Sequence, residues 1–114
     1  MKITIVEDDP DIAELLQLWL SQKGYTIETF CFSQEALYSS SKPDLYLIDY
    51  GLLCIKGDEL CKKLKQACKS IPIVLMSANQ EIEKFMQKCG ADDYIEKPFD
   101  LDKMLEKIAF HLKP

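Results

Sequence analysis

A chain of 114 residues, 47% of them hydrophobic and 29% charged, can wrap one compact domain around a single core and has no room for a second. Its formal charge of −5 argues against nucleic acid as a direct partner, and no apolar run approaches the roughly 18 residues that a membrane span requires. No basic patch followed by an apolar stretch marks a leader peptide, so a cytoplasmic protein without membrane contact is expected. The lysines are dispersed except for Lys56, Lys62, Lys63, Lys65 and Lys69, which read as the solvated face of one helix and its flanks. Five cysteines, Cys31, Cys54, Cys61, Cys68 and Cys89, make an odd number without a C-x-x-C pair, and the lone His111 offers no zinc spacing. They are expected to be reduced thiols, mostly small core residues.

The β-branched run at 2–6, "KITIV", predicts a buried strand, and Ile12, Leu15, Leu16 and Trp19 then recur at helical spacing over 10–23. "YTIETF" (25–30) predicts a second strand and 33–40 a short helix. "DLYLID" (44–49), announced by Pro43, predicts a third strand. After a loop ending near Gly57, Leu60, Cys61, Leu64 and Cys68 mark one face of a helix. "IPIVLMSA" (71–78) is nearly all apolar, as a parallel strand covered on both faces should be. Ile82, Phe85, Met86 and Cys89 predict a helix stopped by Gly90. A short strand at 93–96, "DYIE", precedes Pro98, and Leu101, Met104, Leu105, Ile108 and Leu112 predict a last amphipathic helix. Five strands alternating with five helices, with connections too long for hairpins, predict an α/β fold: a parallel sheet with helices on both faces.

Sites in such sheets lie beyond the carboxyl ends of the strands. The first strand delivers Glu7 and Asp8 there, the third Asp49, the fourth Ser77 and the fifth Lys97. Asp9 before Pro10 needs no chemistry, because Asp at the N-cap with Pro at the first helical position is an ordinary helix start. Glu7, Asp8 and Asp49 are different. About 4 Å apart, two carboxylates repel by about 1 kcal/mol in water and by about 4 kcal/mol at an effective dielectric of 20. Three of them call for a cation, and oxygen-only ligands point to a hard one such as Mg²⁺. Lys97 could pair with Asp49 or bind a phosphoryl oxygen, and Ser77 could donate to another. Positioning and charge neutralisation are most of what phosphoryl transfer needs, with Asp49 as nucleophile.

"IVEDD" before a helix, "PDLYLID", "PIVLMSA" and "GADDYIEKPF" together resemble the receiver domain of two-component response regulators, in order and over essentially the whole chain, 1–114. The resemblance implies a flavodoxin-like three-layer sandwich with five parallel strands in the order 2-1-3-4-5 and five helices. It implies that the chain is not an enzyme but a single-domain switch, complete or cut from a longer regulator. Asp49 would take phosphate from a sensor histidine kinase or phosphotransfer protein. Asp8 and Asp49 would bind Mg²⁺ directly, Glu7 through a water, and the Gly51 carbonyl would add a ligand. Lys97 and Ser77 would hold the phosphoryl group, Tyr94 would reorient with Ser77, and the bond before Pro98 would be cis. "GADDYIEKPF" is most similar to the subgroup with winged-helix outputs. Its members pair through the fourth helix, fifth strand and fifth helix, a homodimer for which Asp92, Asp93, Lys84, Lys88 and Lys107 offer charges.

The chain departs from the family pattern after Asp49, where "DYGLLCIKG" replaces the usual Met-Pro pair with Leu52 and Leu53, places Cys54 in the loop, and has Gly51 where many members carry a side chain over the phosphoryl group. Three alternatives stand beside the resemblance. A degenerate receiver would act only as a docking module. A Mg²⁺-dependent phosphatase would need an Asp-x-Asp motif with a nucleophilic first Asp and usually a cap domain, whereas the first Asp of the Asp9-Pro10-Asp11 triplet reads as a helix N-cap. A flavodoxin-like cofactor binder would need a phosphate-cradling loop after the first strand, where this chain has acids.

Overall fold

The computed structural model describes residues 1–40, 42–51, 57–78 and 81–113, without the side chains of residues 57 and 58. Cys54 and Lys56, singled out in the sequence, lie outside the described residues. The elements run β1 (Lys2–Val6), α1 (Pro10–Gln22), β2 (Thr26–Phe30), α2 (Ser33–Tyr38), β3 (Leu45–Asp49), α3 (Gly57–Ala67), β4 (Ile73–Ser77), α4 (Ile82–Cys89), β5 (Asp93–Glu96) and α5 (Leu101–His111). All four strand pairings are parallel, and the sheet order is β2-β1-β3-β4-β5. This is the expected flavodoxin-like sandwich. No helix among the described residues is long and apolar enough to cross a membrane.

Strand side chains alternate between two cores because successive Cβ atoms point to opposite faces. Ile3, Ile5, Leu45, Leu47, Val74 and Met76 pack with Leu16 and Leu20 of α1 and Met104 and Ile108 of α5. Val6, Tyr46, Ile48, Ile73 and Leu75 pack on the other side with Ala36 of α2, Leu60, Cys61 and Leu64 of α3, and Ile82 and Cys89 of α4. Every residue of β3 and β4 is buried, which explains why those two segments read as unbroken apolar runs.

Two local expectations shift. In α1 the inward stripe is Ala13, Leu16 and Leu20, with Ile12 and Trp19 only partly covered, and Leu15 is 52% exposed. The 3.6-residue period carries Leu15 off the face that Leu16 occupies, so a leucine at the right spacing for one stripe falls in another. In α3, Lys62 and Lys63 are solvated as expected, but Lys65 is not. Its ammonium lies 2.7 Å from Asp92 Oδ2 and 3.0 Å from the Ile71 carbonyl, tying the end of α3 to the approach to β5.

Helix ends follow their local chemistry. Asp9 caps α1, its carboxylate accepting from the backbone N–H groups of Asp11 and Ile12. Asp100 does the same for α5. Gly90 closes α4 in the left-handed region at φ 82°, its N–H donating to the Met86 carbonyl. A Cβ there would lie 3.9 Å from Lys65 Cγ, an ordinary contact, so the glycine is required by backbone conformation and not by space. Replacing Gly90 with alanine should therefore destabilise the fold by about 1–2 kcal/mol, the left-handed penalty of an L-residue. Urea unfolding measures it, and an unchanged midpoint would show that the turn relaxes freely.

Candidate functional site

The strand register brings the acids together. Val6 pairs with Ile48, so Glu7 and Asp49 leave neighbouring strands at the same end of the sheet. Asp49 is in register with Met76, and Ser77 with Glu96, which sets Ser77 and Lys97 on the same rim. Oxygen atoms of Glu7, Asp8 and Asp49 all lie within 4.8 Å of one another. Glu7, Asp49 and Ser77 are buried, whereas Asp8 is partly exposed.

Lys97 holds this cluster closed. Its ammonium sits 3.1 Å from Glu7 Oε1 and 3.1 Å from Asp49 Oδ1, and its backbone N–H donates to the Ser77 carbonyl at 2.9 Å. The Lys97–Pro98 bond is cis. The sequence anticipated a pairing of Lys97 with Asp49; the structure adds Glu7 as an equal partner. Phe99, to which the sequence reading gave no role, places its ring centroid 5.7 Å from the same ammonium, a contact that an aromatic two residues after a lysine can signal.

One positive charge does not balance three carboxylates. Burial, and then hydrogen bonding and repulsion from Asp49, raise the Glu7 carboxyl to about 7, against the opposing pull of Lys97. Burial works against the Lys97 ammonium as well, but its bonds to Glu7 and Asp49 outweigh that and raise its pKa. A proton on Glu7 offsets part of the remaining negative charge and still leaves the cluster acidic. An all-oxygen donor set with surplus negative charge fits a hard divalent cation, which would replace that proton.

Gly51 is exposed beside Asp49. A Cβ built on it would stand 3.8 Å from Asp49 Oδ2, the oxygen that Lys97 does not bridge. Tyr94 is not at the rim. Its hydroxyl points outward and donates to Glu83 Oε1 of α4 at 2.7 Å, while the Lys107 ammonium lies 4.5 Å from its ring centroid. Lys107 also donates to the Tyr94 carbonyl and reaches Asp93 Oδ1 at 3.2 Å, and His111 Nε2 contacts Asp93 Oδ2 at 2.9 Å. Of the charges considered for pairing between subunits, Asp92, Asp93 and Lys107 are thus engaged within the chain, and Lys84 lies 3.8 Å from Glu81. The sequence reading missed Glu83 and His111 in this network. Nothing in an exposed glutamate or a lone histidine distinguishes them before α4 and α5 are packed beside β5.

Among the four described cysteines, none of them in a disulfide, Cys61 and Cys89 are buried, Cys68 is half-buried and Cys31 is exposed, so only two are the core residues expected.

A parallel sheet in the order 2-1-3-4-5 with a lysine-bridged acidic cluster at its carboxyl edge defines the class of protein. Residues 3–109 match the response regulator receiver domain family, and the chain belongs to it. It is 36% identical to response regulator ArlR of Staphylococcus aureus over 116 aligned positions, which cover 98% of this chain and 52% of that protein. The chain therefore spans about half the length of the curated relatives it matches. Among solved structures it is similar to response regulator TrrA of Thermotoga maritima in complex with Mg²⁺ and BeF, at 32% identity and TM-score 0.91, covering 97% of this chain and 98% of that one. A receiver domain protein of Methanospirillum hungatei is similar at 30% identity and TM-score 0.90, covering 97% and 92%.

The proton on Glu7 gives the metal-free protein a defined pH response. Between the ordinary value of 4.5 and about 7, the folded chain keeps a proton that the unfolded chain has released, so stability falls as pH rises through this window and levels off above it. The full change is about 3 kcal/mol. Urea unfolding in chelator across pH 4–8 should show this slope in the wild type and lose it in Glu7→Gln; parallel profiles would refute the assignment.

Proposed function

We propose that this chain is a phosphoryl-accepting switch in which Asp49 takes the phosphoryl group from a phosphohistidine of a sensor histidine kinase or phosphotransfer protein. The observation that carries the reading is the Lys97 bridge, which holds Asp49 Oδ1 at 3.1 Å, while Oδ2 lies on the side of Gly51, which has no side chain to stand over it. In the transfer, an Asp49 oxygen bonds to phosphorus as the phosphorus–nitrogen bond breaks. The imidazole leaves with its electron pair and takes up a proton from solvent. An acyl phosphate results.

Glu7, Asp8 and Asp49, with the Gly51 carbonyl, would hold Mg²⁺, which when bound supplies charge neutralisation at the transferring oxygens. The chain's own groups do the rest. Lys97 donates to one phosphoryl oxygen from the position in which it now bridges two carboxylates. Ser77, one residue beyond the register partner of Asp49, donates to another. The similarity to a protein solved with Mg²⁺ and BeF supports this reading of the acidic cluster.

The consequence is a shift between two arrangements, driven by whatever stabilisation the phosphoryl group gives one over the other. Drawing Ser77 toward the phosphoryl group frees the space into which Tyr94 turns, and the surface of α4, β5 and α5 changes with it. Pairing of two copies through that surface would require Asp92, Asp93 and Lys107 to exchange their present partners, so a dimer is expected only in the phosphorylated form.

Incubation with acetyl phosphate and Mg²⁺ should add one phosphoryl group to the wild type, labile to hydroxylamine, and none to Asp49→Asn. Lys97→Ala should be phosphorylated about 10²-fold more slowly, the effect of removing one charge-stabilising donor. A phosphorylated Asp49→Asn protein, or an inert wild type that is folded, would overturn the reading. Sedimentation with trifluoroberyllate and Mg²⁺ should show a dimer that is absent without them, and a persistent monomer would remove the dimer.

A further inference from the structure

The seam between α3 and α4 contains a pair of thiols that the phosphoacceptor reading does not use. Cys61, on α3, donates to the Cys89 carbonyl at 3.7 Å, and Cys89, the last residue of α4, donates to the Met86 carbonyl at 3.6 Å. The two thiols are near enough for Cys89 to be the largest influence on the ionisation of Cys61. They are 28 positions apart in the chain and meet only because both helices cover the same face of the sheet. Cys61 is 0% exposed and Cys89 5%.

We propose that Cys61 and Cys89 are a modification site: an oxidant of the peroxide class converts them to a disulfide that staples α4 to α3. In the closed fold the pair is protected. The contact with Cys89, and then burial, push the Cys61 thiol far up, so no thiolate is available to react. The way in is the last turn of α4. That helix has eight residues, of which only Ile82 and Cys89, at its two ends, are fully buried, and it ends at Gly90. Lifting one turn exposes Cys89 without disturbing the sheet, the kind of low-energy local opening that short, sparsely anchored helices allow.

The chemistry balances with hydrogen peroxide as oxidant. The exposed Cys89 thiolate attacks one peroxide oxygen and breaks the O–O bond, giving a sulfenic acid and hydroxide, which takes up the thiol proton as water. Before the turn closes fully, Cys61 loses its proton and its thiolate attacks the Cys89 sulfur, the S–O bond breaks, and the hydroxide that leaves takes up that proton as a second water. Two thiols and one peroxide give one disulfide and two waters. Burial of the product shields it from further oxidation. The staple would make α3 and α4 move as one body.

Native protein treated with hydrogen peroxide, quenched, alkylated under denaturing conditions and mapped by mass spectrometry should yield a peptide linked through Cys61 and Cys89 that dithiothreitol releases. Cys61→Ala and Cys89→Ala should each abolish that link. Amides of α4 should exchange with deuterium more slowly in the oxidised protein than in the reduced one, and its thermal midpoint should rise. Replacing Cys31, Cys54 and Cys68 with serine should leave the link intact, excluding scrambling from the other thiols. Recovery of Cys61 and Cys89 both alkylated after native oxidation, or a link that forms only in denaturant, would overturn the proposal. Neither readout depends on phosphorylation of Asp49.

Discussion

The Lys97 ammonium is the interaction on which the site depends. It lies 3.1 Å from a carboxylate oxygen of β1's end and 3.1 Å from one of β3's end, while its own backbone is tied to the end of β4. A buried charge is tolerated only when paired and hydrogen-bonded, and Glu7 and Asp49 are both buried. Without Lys97 these two carboxylates would face each other with no cation among the described residues beside them. With it, the cluster is close to balance but still acidic, which is a state prepared to take up more positive charge.

That arrangement is a product of register. In a parallel sheet all carboxyl ends fall on one side, and the strand order sets β1 and β3 next to each other although twenty-odd residues of α1, β2 and α2 intervene. A slip of one residue in β3 would turn Asp49 into the core and present Ile48 or Tyr50 at the rim. The fully buried strands prevent this, because a slip would also drive alternate residues of β3 from one apolar layer into the other. The greasy interior and the polar edge are therefore one constraint.

The opposite kind of organisation governs the α4-β5-α5 side. There Glu83, Tyr94, Lys107, Asp93 and His111 form a continuous polar chain from one helix across the edge strand to the other. Asp93 keeps its carboxyl below the ordinary range: burial opposes ionisation, but bonds from His111, the Tyr94 backbone and Lys107 prevail. These links are half exposed, and each is weak enough to be exchanged for another partner. A rigid rim beside an exchangeable edge is the division of labour that the proposed switch would use.

The sequence by itself determined the order of the elements, the two helix caps with the clearest chemistry, at Asp9 and Gly90, and the identity of the residues at the rim. These follow from local physics: alternation and apolar runs report strands, and a polar residue ending an apolar strand has only one direction to go. Tertiary structure alone decided which partners the charges chose. That Lys97 binds Glu7 as well as Asp49, that Lys65 leaves the solvated face of α3 for Asp92, and that Cys61 meets Cys89 all depend on distances between segments far apart in the chain, which no local pattern encodes.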